Sequence, residues 1–102
     1  MGQLNLSSGT ELRISLLFRG DEREQVRQII SSECGNNLPF LQKLNEFQLD
    51  RFRFAVLKLS EGDINKLHSA VKLAKEDWRD LLVAAGFADD IHAHNEWMPD
   101  ER

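Results

Sequence analysis

The sequence predicts an all-α protein: a compact bundle of four to five helices in a single domain. Seven apolar residues between Ile64 and Ala85 recur at steps of three and four, the repeat of one helix face. Capping residues stand before further stretches of helical spacing, and no segment sustains the alternation of a strand. The chain has 102 residues, of which 41% are hydrophobic and 29% charged, so one core serves it without disulfide or metal staples.

The N-terminal Glu11–Phe18 stretch has no decisive period and admits helix or strand. An isolated strand needs a partner, and no other segment reads as one, so helix is the reading. Arg19-Gly20 breaks it. Asp21, with Glu24 three residues on, forms an N-cap and capping box for a helix carrying Val26, Ile29 and Ile30 inward. Gly35, after Cys34, ends that helix, and Pro39 opens a short one to about Phe47.

Asp50 is the next candidate cap, for a helix over Arg51–Ser60. Phe52, Ala55, Val56 and Leu59 form one apolar side and Phe54 and Leu57 a second, which places this element at the centre of the core. Arg51-Phe52-Arg53-Phe54 alternates like a strand, but the alternation fails at Val56-Leu57. Glu61-Gly62 ends the helix, and Asp63 caps the next. From there Ile64, Leu67, Val71, Ala74, Trp78, Leu81 and Ala85 form a stripe about 100° wide. One straight helix of these 22 residues would run roughly 33 Å, too long for so small a body, so a bend is expected near Lys75–Asp77. Gly86 closes it.

Residues 1–88 are thus read as the helical domain, and 89–102 as an acidic C-terminal tail that packs on the body or moves freely. The formal net charge of −4 lies wholly in the last 17 residues, because Met1–Ala85 hold 12 charges of each sign. No cluster of Lys and Arg suits phosphate binding, so nucleic acid is not an expected partner. No apolar run approaches the ~20 residues of a membrane span, and Met1–Ser8 lacks a signal peptide's pattern. The lone cysteine, Cys34, forms no internal disulfide and suits a reducing compartment. A cytoplasmic location is the expectation.

Three strings, Glu33-Cys34-Gly35-Asn36-Asn37-Leu38-Pro39-Phe40, Arg53–Asp63 (RFAVLKLSEGD) and Asp77–Phe87 (DWRDLLVAAGF), cover roughly a third of the chain. They resemble a group of small, uncharacterised bacterial helical proteins. The resemblance implies a bacterial source and an all-helical fold, and it implies no activity.

Candidate chemistry is sparse. Cys34 falls at a helix C-terminus beside Glu33, where dipole and charge both disfavour a thiolate, so it reads as structural. His68 reads as a boundary residue with one side on the core, and it is the best placed general base if a pocket exists. No phosphate-cradling loop or nucleophile elbow occurs, and no catalytic residue or cofactor is assigned. What remains is a non-enzymatic interaction or regulatory module. Its expected contact residues are Leu73 and Val83, which lie off the stripe, and Trp97 in the tail, facing a protein partner or a second copy of the chain. The alternative is a metal-binding protein or metal-dependent enzyme using His92 and His94, which share a side of an extended segment, with Asp90 as a third ligand.

Overall fold

Six helices form among the described residues, 6–34 and 46–99 of a computed structural model, and no strand does. The first, α1 (Ser8–Leu17), starts earlier than the sequence suggests because the Ser7 hydroxyl accepts from the Thr10 amide at 3.1 Å. It turns Thr10, Arg13, Ile14 and Leu17 inward. Helix α2 (Gly20–Glu33) also begins early: Arg19 is its N-cap, without a side-chain hydrogen bond, and Asp21 lies in the first turn instead of capping. There its carboxylate still faces the positive end of the helix dipole. Arg23 locks the α1–α2 corner by donating to the carbonyls of Phe18 at 3.0 Å and Ser15 at 2.8 Å. The expected stop at Gly35 and the short helix from Pro39 lie outside the described residues, apart from Glu46 and Phe47, which belong to the next helix.

Helix α3 (Glu46–Ser60) is the centre of the bundle and touches α1 together with all the later helices. Every residue from Phe52 to Leu57 is buried, as an element with two apolar sides requires. Asp50 corrects the sequence reading: it sits inside this helix, and its carboxylate accepts the Thr10 hydroxyl at 3.1 Å. The turn after α3 takes two left-handed residues, Glu61 at φ 52° and Gly62 at φ 79°. Asp63 then caps α4 by accepting from the amides of Asn65 and Lys66.

The stripe from Ile64 to Ala85 is divided between α4 (Ile64–Glu76) and α5 (Trp78–Ala85). Asp77 stands between them in extended conformation, with φ −156° and ψ 92°, and its carboxylate accepts from the amides of Arg79 and Asp80. The body measures 32 × 31 × 23 Å, so the break folds a seam that would otherwise span its whole length back onto α3. Gly86 ends α5 in the left-handed conformation at φ 80°. After a turn, the single-turn helix α6 (Ala93–Glu96) packs against α3.

Candidate functional site

The densest polar and aromatic cluster lies where α1 and α3 meet the C-terminal segment. Arg13 is 4% exposed, yet its guanidinium has no carboxylate in salt-bridge contact among the described residues. It is held by main-chain carbonyls instead. Nε and Nη2 donate to Trp97 at 3.2 and 2.9 Å, Nη1 donates to Gly9 at 3.0 Å, and Nη2 reaches Asn95 at 3.4 Å. The same group lies over the Phe54 ring, 3.9 Å from its centroid, and 5.7 Å from that of Trp97. Burial lowers the Arg13 pKa from its ordinary value, and the charge of Asp50 opposes that shift. A planar fork with five donors can gather several carbonyls in this way; a lysine ammonium cannot.

Beside this clamp His94 enters the interior. It is fully buried, and neither ring nitrogen has a hydrogen-bond partner among the described residues. Its neighbours are phenylalanines: the ring centroids of Phe47, Phe54 and Phe87 lie at 4.8, 5.4 and 6.3 Å. Desolvation is the largest influence on the imidazole and lowers its pKa, with Arg51 and Arg13 acting the same way. Asp50 and the Ile91 main chain act in the opposite sense. Close by, Arg51 donates to the Phe87 carbonyl at 2.7 Å while its own Nε is buried without a partner among the described residues.

This cluster was only partly visible in the sequence. Arg13 follows Thr10 by three residues and precedes Leu17 by four, so a helix that buries both must also bury this arginine. That charge on an inward face was the available signal. The cage around His94 had none, because its walls come from separate elements.

The interface residues fall in two different environments. Val83 stands 66% exposed on α5. Leu73 is half-buried and packs on the core, so it is not the free surface residue its position off the stripe suggested. Trp97 likewise packs on the core, with its ring 6.3 Å from that of Phe87.

The geometry does not gather the three metal-ligand candidates. The segment bends instead of extending: the Asp90 carboxylate accepts the His92 amide at 2.8 Å, His92 stays exposed and His94 turns into the phenylalanine cage. Among the described residues no three His, Cys, Asp or Glu side chains come close enough to hold an ion. His68, expected at the core boundary, is exposed and lines an open groove of about 400 Å³ between α2 and α4, with Gln28, Ile29, Ser32 and Lys72. Cys34 is 1% exposed, and burial pushes its thiol up to about 12, so it is no nucleophile at neutral pH.

No helix among the described residues is long and apolar enough to cross a membrane. Comparisons with protein-family models, curated proteins and solved structures return no match.

Proposed function

We propose that this protein is a non-enzymatic interaction or regulatory module of a bacterial cytoplasm, and that it associates through Val83 and the outer side of the C-terminal segment. The observation that carries the reading is the two-sidedness of that segment. His94 and Trp97 pack inward, while Ile91 and Met98 remain 56% and 45% exposed. Val83 adds a third apolar side chain outside a core that α5 already serves with Leu81, Leu82 and Ala85. Large apolar groups left in water favour burial against a second protein surface.

A second copy of the chain is the simplest partner to test. Sedimentation velocity across a micromolar concentration series should show the wild type growing heavier than its 11.8 kDa monomer. Val83→Glu and Ile91→Glu should remain monomeric at unchanged melting temperature. A wild type that is monomeric throughout rules out self-association, and the same two variants then serve to test a different protein recovered with the chain from its host.

A further inference from the structure

We propose that the Ala93–Trp97 segment is an acid-released strap, which the fold holds while His94 is neutral and lets go when that ring takes a proton. The inference goes beyond the interaction reading and does not depend on Val83.

The geometry favours the neutral imidazole over the charged one. A protonated ring carries a charge and two N–H donors, and the side chains of Phe47, Phe54 and Phe87 offer no acceptor to either nitrogen, so that only the Ile91 main chain and Asp50 favour the charged form. The charged groups acting on the ring favour the same answer. Arg13 from α1 and Arg51 from α3 repel an imidazolium. Asp50 from α3 attracts it, but its carboxylate already accepts the Thr10 hydroxyl. Phenylalanine faces can hold a cation, yet the Phe54 face is occupied by the Arg13 guanidinium at 3.9 Å.

Release needs no other helix to melt. Helix α6 is a single turn, too short to be stable alone, and it is kept by its packing on α3 and by the Arg13 bonds to Asn95 and Trp97. Once the ring is charged, hydrating it in the released segment removes the penalty, and the departure uncovers the phenylalanine cage.

The sign follows from the docked ring binding its proton more weakly than a free one. Docking is complete above the ordinary imidazole value of 6.5 and weakens as the pH falls below it. Each pH unit then raises the released-to-docked ratio up to tenfold, until the docked ring itself titrates.

The test follows the His94 imidazole and the Trp97 indole by two-dimensional NMR of the whole chain from pH 8 to 4.5. Expected is a joint transition of both signals below pH 6.5, with the α4 amides keeping the dispersion of the folded body. His94→Leu should abolish the Trp97 response, and His92→Ala should keep it. The proposal is overturned if His94 titrates while Trp97 stays docked, if neither moves before the whole body unfolds, or if Trp97 responds identically in His94→Leu. Should His94→Leu fail to fold, the joint titration of the wild type decides.

Discussion

Two nitrogens of Arg13 donate to the main-chain carbonyl of Trp97, at 3.2 and 2.9 Å, and so join residues 84 positions apart. The bond is directed at backbone, so it holds the position of the segment and does not depend on the indole. Around it the interior is organised by cations against carbonyls and ring faces: Arg51 on Phe87, Arg53 on the Cys34 carbonyl at 2.9 Å, and Arg13 on Trp97. Each arginine ties a loop or chain segment to the central helices.

Removing this clamp takes the buried donors from the Trp97 and Asn95 carbonyls. Arg13→Leu should cost about 3 kcal/mol in urea unfolding, the range for stranding buried polar partners. It should also expose Trp97 to an aqueous quencher. Arg13→Lys should recover less than half of the loss, because a point charge cannot serve carbonyls spread over two segments. Equal stability in Lys and wild type would show that charge alone suffices.

Leu73 and Val83 should now behave differently, although both are apolar residues off the same stripe. Leu73→Ala removes a half-buried side chain from the core edge and should cost about 1–2 kcal/mol. Val83→Ala exchanges an exposed β-branched residue for a better helix former, and should raise stability by up to ~0.5 kcal/mol. Thermal unfolding of the two single variants checks both signs.

Asp77 caps a helix while interrupting the seam, so its replacement tests the break directly. Asp77→Ala should cost about 1 kcal/mol through the lost amide bonds, and Asp77→Asn should restore most of it. If alanine were instead stabilising, a continuous helix over 64–85 would be the preferred state.

The buried Cys34 thiol gives an alkaline signature. Its pKa is raised to about 12, chiefly by desolvation, so the neutral thiol belongs to the folded state. Its stabilising contribution is fully present below the unfolded value of about 8.5 and is lost as the pH rises above it, by about 1.4 kcal/mol per unit. Cys34→Ala should flatten unfolding free energy between pH 8.5 and 10. A disulfide-forming thiol reagent should react quickly at pH 8 only after the chain is denatured.

The helical class and the long seam were legible in the residues because both are local. The steps of three and four from Ile64 to Ala85 define a face, Asp63 and Gly86 supply its caps, and the mismatch between seam length and body size called for the bend that Asp77 provides. Short-range rules went astray at Asp21 and Asp50. Each has a side chain that suits a cap, but a helix can start earlier whenever packing rewards extra turns. Asp50 is kept inside α3, where its carboxylate meets Thr10 from another helix.

Tertiary packing alone decided the rest. Periodicity marked Leu73 as a surface residue and could not reveal that the fold packs it against the core. The spacing of His92 and His94 suggested one shared side, until the turn at Asp90 sent one ring outward and the other inward. Which aromatic rings enclose His94, and which arginine holds Trp97, depends on elements brought together from distant parts of the chain. A repeat of 3.6 residues orients a side chain about its own helix axis, and it carries no information about which distant group will be waiting there.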